Sequence, residues 1–203
     1  MPPLPPEPER FENALAAIDR EHALDPTKIT LPGSTEEIPY ELHYARKCTS
    51  YLEKHTPDAS PTLRVAIRAQ HFRRWEVPRS SYPMTRVGYL TWRTFLKKRQ
   101  ADLVMQICDE SGLELETVKR IGALIKKEGL REGDKDTAAL EDVACLVFLD
   151  DQFEKFQEEH DEEKILNILR KTWGKMSERG RELALEMHME GRCKELVEKA
   201  LAG

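Results

Sequence analysis

Apolar side chains recur three and four positions apart along most of this chain, which is the spacing of one helical face. Phe11, Leu15 and Ile18 predict a helix from Arg10 to about Leu24. Leu42, Ala45, Tyr51 and Leu52 predict a second, with Pro39 in its first turn. Ser60 and Pro61 read as the cap and first residue of a third helix running through Trp75, stopped by Val77-Pro78. A long helix is expected from Thr85 to Glu110, ended by Ser111-Gly112. Leu115, Val118, Ile121, Leu124 and Ile125 mark the next, closed by Gly129. The most apolar stretch, ALEDVACLVFL, falls in a helix from about Thr137 to Glu158, and charged helices near 162–173, 177–189 and 191–201 complete the chain.

No run alternates with period two over a useful length. The expected class is therefore all-α, a single domain of eight or nine helices with essentially no sheet. Residues 1–9 read as a Pro-rich mobile arm, 10–160 as the helical core, and 161–203 as charged helices packed on that core. Residues 25–38, punctuated by Pro26, Pro32 and Gly33, read as a surface loop, and PRSSYPM at 78–84 as a turn-rich one.

The chain has 203 residues, long enough to bury a core without staples. Charged residues make up 34% and hydrophobic ones 39%, so a charged surface encloses an ordinary core. Cys48, Cys108, Cys145 and Cys193 are far apart, with no metal-knuckle spacing, and read as reduced thiols. No apolar run approaches the roughly 20 residues that cross a bilayer. Cytoplasm is the expected compartment, with the nucleus as the alternative.

Formal net charge is −5, so only a local charge distribution could attract a polyanion. That distribution is uneven. Arg64, Arg68, Arg73, Arg74, Arg79, Arg86, Arg93, Lys97, Lys98 and Arg99 share their stretch with one acid, Glu76. From Asp150 to Glu163 acids face Lys155 alone. Three arrangements follow: the two runs pair with each other, the arginines converge on a phosphate-like anion, or the stretch holds nucleic acid through its interleaved aromatics. Acidic total charge and few lysines count against nucleic acid. Arg46, Arg74, Arg79, Ser81, Arg86 and Arg93 are the candidate anion ligands, since a guanidinium fork matches phosphate oxygens.

His22, His55, His160 and His188 sit at predicted helix ends or among charges and read as surface residues. His43 and His71 each lie within a predicted helix, with Arg46 and Arg74 three residues on. Asp142 sits beside the most apolar sequence, where an unpaired acid would be expensive to bury.

A histidine in one helix, a histidine in the next and an aspartate opening a later apolar helix resemble the HD superfamily of metal-dependent phosphohydrolases, all-helical proteins built around a His…HisAsp…Asp metal site. The resemblance covers roughly residues 38 to 155. It implies an HD-like core and a divalent metal (Zn, Mn, Fe or Co) on His43, His71 and Asp142. The arginines would neutralise a phosphate and Glu76 would act as base or proton shuttle; in a metal-free version Lys126 or Lys127 would replace the metal's positive charge and the pocket would bind an anion without catalysis. Phe72 stands where that family has its aspartate. The stretch QHFRRWEVPRSSYPMTRVGYLTWR is similar to a family catalogued only as a domain of unknown function. Two functions are therefore expected: a phosphohydrolase acting on a nucleotide or small phosphate ester, or a non-catalytic helical module holding a phosphorylated metabolite or a partner protein.

Overall fold

The computed structural model describes residues 6–31 and 33–202. Among these, ten α-helices and one two-stranded ribbon follow in the order α1 (Glu7–His22), β1 (Lys28–Thr30), β2 (Glu37–Pro39), α2 (Tyr40–His55), α3 (Pro61–Arg68), α4 (Arg86–Glu110), α5 (Leu115–Lys126), α6 (Lys135–Val147), α7 (Phe153–Glu158), α8 (Glu162–Lys175), α9 (Glu178–Leu185) and α10 (Gly191–Leu201). A π-helical turn, Phe148–Gln152, joins α6 to α7. Short 3-10 turns occupy Arg74–Glu76 and Arg79–Ser81.

The helix starts follow the capping chemistry of the sequence. Ser60, Thr85, Asp134, Asp161 and Ser177 each accept a backbone N–H from the first turn of the helix they precede. The main core gathers one face from each of α1 to α6, with Ile18, Tyr44, Leu52, Ile67, Phe72, Ile121 and Leu140 fully or nearly fully buried. α4 lies along α5, and α2 packs against both α3 and α6. A second cluster, around Phe153, Ile165, Leu169 and Leu196, joins α7, α8 and α10. A third ties Leu146 of α6 to Met176 and to Leu183 of α9. The C-terminal helices thus cover the core through their own apolar seam.

Four expectations are corrected here. Helix α1 begins at Glu7, so the proposed arm overlaps its first turn, while residues 1–5 lie outside the described residues. Residues 25–38 are not wholly loop: Lys28↔Pro39, Ile29↔Ile38 and Thr30↔Glu37 pair as an antiparallel ribbon. The helix expected through Trp75 ends at Arg68, and His71 and Arg73 take left-handed backbone conformations, with φ of 63° and 48°. His71 is therefore on a turn, not on a helix. Finally, His22 is completely buried and the His55 side chain is mostly buried against Asp142, so neither is a plain surface histidine.

Candidate functional site: a cationic cavity at the His71 turn

The turn after α3 is held by a buried acid from another element. Glu41, in the first turn of α2, accepts the backbone N–H of Arg73 and of Arg74, each at 2.8 Å, and the Nδ1–H of His22 at 2.9 Å. Its own backbone N–H donates to Asp25 at 2.9 Å. Backbone donors that would continue α3 are thereby captured by a carboxylate. The chain turns, Phe72 enters the core at 1% exposure, and His71 and Arg74 project the other way. Non-glycine left-handed conformations cost on the order of 1–3 kcal/mol each and persist where surroundings impose them.

His71 and Arg74 open onto a cavity of about 250 Å³. Its wall also carries Tyr44 of α2, Arg93, Lys97 and Gln100 of α4, Lys127 just after α5, Glu141 of α6 and Lys175 at the end of α8. Five cations (Arg74, Arg93, Lys97, Lys127 and Lys175) thus share the space with one carboxylate. Glu141 is ion-paired with Lys127 and lies 3.6 Å from Lys175. Among the described residues, Arg74, Arg93 and Lys97 have no carboxylate within ion-pair distance. Arg74 instead stacks over the Trp92 ring, 4.6 Å from its centroid, and Arg93 over Tyr89 at 5.7 Å.

Burial and mutual repulsion act on these groups as electrostatics requires. Burial lowers the His71 pKa well below the usual imidazole range, and Arg74 and Lys127 lower it further. The ring is neutral, stacks on Tyr44 at 4.1 Å, and accepts from Arg74 Nη1 through Nε2 at 3.1 Å. Lys97 is also lowered, by burial and then by Lys127 and Arg93. Burial pushes Glu141 up, but Lys127, Lys175 and Arg93 together hold it below the ordinary carboxylate value. Burial pushes the Cys145 thiol up to about 12, so this wall residue is not a thiolate nucleophile near neutral pH. Gln100, 7% exposed, keeps its Nε2 buried and without a partner on this wall. Such an orphan donor is unusual in a native interior.

The expected metal set does not assemble. His43 Nε2 donates to Asp151 at 2.8 Å, on the π turn, and Tyr40 donates to the second oxygen of that carboxylate at 2.9 Å. Asp142 is 1% exposed and is held by His55 Nε2 at 2.9 Å, by the backbone N–H of Ser177 at 2.9 Å and by the Ser177 hydroxyl. His71 faces a guanidinium. Among the described residues no three His, Cys, Asp or Glu side chains gather so as to hold a metal ion. The donor set therefore does not fit the divalent metal that the HD resemblance implies. Asp142 instead ties α2 and α6 to the start of α9.

The other candidates divide. Arg74, Arg93 and Lys127 line the cavity. Glu76 does not: it is clamped between Arg73 and Arg99, which together hold its carboxyl low against the upward push of burial. Arg46, Ser81 and Arg86 are exposed and stand off the cavity wall. Arg79 braces the loop before α4, donating to the carbonyls of Tyr82 at 2.9 Å and Pro83 at 2.7 Å. No ion pair among the described residues joins the basic run of 64–99 to the acidic run of 150–163. The basic run is matched instead by Asp19, Glu21 and Glu76, and Asp150 pairs with Lys47. Lys97 and Lys175 were not singled out by sequence. Lys97 was visible within the basic run, whereas Lys175 lay in a segment that carried no signal.

These features define a mostly helical protein with a positively charged, partly open cavity at the joint between its core and its C-terminal helices. A family model matches residues 12–197, and the chain belongs to that family, described as Domain of unknown function (DUF4202). No curated protein and no solved structure matches the chain. No helix among the described residues is long and apolar enough to cross a membrane.

Proposed function

We propose that this protein binds a small phosphate-bearing anion in the cavity beside His71, without a metal. One observation carries the reading: five cations share the wall of a partly open cavity with one carboxylate, and among the described residues three of the five lack a carboxylate partner. Clustered, half-buried cations repel one another and lose part of their hydration, so a polyanion that enters relieves both penalties. Arg93 and Arg74 supply planar forks, Lys97 and Lys175 supply point charges, and the Gln100 amide supplies a neutral donor. The left-handed turns at His71 and Lys127 fix the rim, and such strain is often found at ligand sites.

A metal-dependent phosphohydrolase is the weaker reading. His43 and Asp151 face each other, but a third ligand is missing, and Phe72 points into the core where that family's aspartate would stand. The binding module is therefore preferred over the hydrolase.

Thermal unfolding with inorganic phosphate or pyrophosphate tests the proposal. A ligand that favours the native state stabilises by about 2.7 kcal/mol at a hundred times its Kd, a shift of several degrees. The expected result is a rise in Tm that survives a chelator and disappears in the double variant Arg93→Gln, Lys97→Gln. Neither of those side chains has a carboxylate partner, so the variant should remain folded. No rise in the unmodified protein, or an equal rise in the variant, would refute the anion site.

A further inference from the structure

A second chamber of about 310 Å³ adjoins the cationic one, and Tyr44, His71 and Arg74 line both. Its walls differ in kind. Tyr40, Trp75, Val77, Pro78 and Trp92 give it flat, mainly apolar faces, with the Arg79 guanidinium 5.9 Å from the Trp92 ring centroid at one side. The acids on this wall are already engaged: Asp25 accepts from the backbone N–H of Thr27 and of Glu41, and Glu41 accepts from Arg73 and Arg74. The Tyr40 hydroxyl is committed to Asp151.

The two tryptophans of this chamber make an informative contrast. Trp92 donates its indole N–H to the carbonyl of Val77 at 2.9 Å. Trp75 Nε1 is buried and has no partner. The two buried side-chain donors found unpaired among the described residues, Gln100 Nε2 and Trp75 Nε1, thus sit on residues that line one chamber each. A buried donor without an acceptor is costly, and a small shift of the Gln100 amide and the Trp75 ring toward their chambers would let an occupant with acceptors at both ends satisfy both.

We infer that the two chambers form one bipartite site for a phosphate ester of a planar ring bearing a hydrogen-bond acceptor, with the phosphate among the cations and the ring between the aromatic walls. The inference rests on the anion-binding reading and names the class of ligand for it. Flat walls and a stacked guanidinium favour a ring over a branched group. The unpaired indole N–H favours a ring with an acceptor over a bare hydrocarbon. His71, neutral and stacked on Tyr44, forms the partition between charge and ring.

Calorimetric titration with inorganic phosphate, hexyl phosphate, phenyl phosphate and adenosine monophosphate tests this. Adenosine monophosphate is expected to bind at least about tenfold tighter than inorganic phosphate, with hexyl and phenyl phosphate between them. Trp75→Phe keeps the wall but removes the donor, and should cut the adenosine monophosphate advantage about fivefold, the equivalent of one ordinary hydrogen bond, while leaving inorganic phosphate unchanged. Val77→Trp narrows the chamber from another side and should weaken the ring-bearing ligands alone. Equal affinity for inorganic phosphate and adenosine monophosphate, or no response of that ratio to either variant, would overturn the bipartite site and leave the anion site standing. If no phosphate binds at all, the anion site itself falls.

Discussion

Glu41 shows how one side chain can set the geometry of a site it does not enter chemically. It is 4% exposed and lies among two backbone donors and the His22 ring, whose other nitrogen faces the Arg68 carbonyl at 2.9 Å. Charge-assisted hydrogen bonds of this kind are about twice as strong as neutral ones. Removing the carboxylate would leave three buried donors facing one another. Glu41→Ala should therefore cost about 3–5 kcal/mol, the range for breaking a buried charged arrangement from one side. Urea unfolding would report it as a lower midpoint at unchanged slope. A loss below about 1 kcal/mol would mean that the turn at His71 is fixed by something else.

At the scale of the elements, Asp142 and α9 make a second prediction whose sign is not the default. Gly180 lies in the first turn of α9, where alanine is normally worth up to about 1 kcal/mol more than glycine. Here an added Cβ would sit 2.6 Å from the Asp142 carboxyl carbon. That carboxylate cannot retreat without abandoning His55 and Ser177, so overpacking of about 1–3 kcal/mol outweighs the propensity gain. Gly180→Ala should lower the Tm, whereas the atoms nearest an added Cβ at Gly122 all belong to the flexible Met105 side chain, so Gly122→Ala should be tolerated better. The contrast also shows what the sequence carried. The limits of α4 were legible because Thr85 caps it and Ser111-Gly112 ends it, all local signals. The end of α3 was not, because no proline or glycine stands between Ala69 and Val77 and the agent is a carboxylate from α2. The ribbon 28–39 escaped because three-residue strands carry no period. In the site, the arginines were legible as a charge run, but the partners of Asp142 and His43 were not. The resemblance to the HD superfamily had suggested that they meet each other, while the fold gives one to His55 and the other to Asp151.

For the whole molecule, the decisive feature is that the cavity straddles the boundary between the core of α1 to α6 and the helices that follow. Arg74, Arg93, Lys97 and Lys127 come from the core, while Lys175 ends α8 and Thr172 of the same helix lines the wall. α8 also packs against α10 through Ile165, Leu166 and Leu169, so the last forty residues meet the ligand space as a packed unit. Occupancy by an anion must then couple the C-terminal helices to the core, because the ligand would touch charges on both sides of the joint. Elements with few core contacts open at lower free energy than the rest of a protein and exchange their amide hydrogens sooner. Saturating phosphate is therefore expected to slow exchange in α8 more than in α5, whose apolar face is buried in the main core. Lys175→Ala should weaken phosphate binding about three- to tenfold, within the range for one charge-assisted contact, and abolish the extra protection of α8. Because Lys175 is half exposed and Lys127 remains paired with Glu141, that variant should unfold at nearly the same temperature as the parent when no anion is present. Protection of α8 that persists in Lys175→Ala, with phosphate bound, would show that the C-terminal helices are coupled to the core by packing alone.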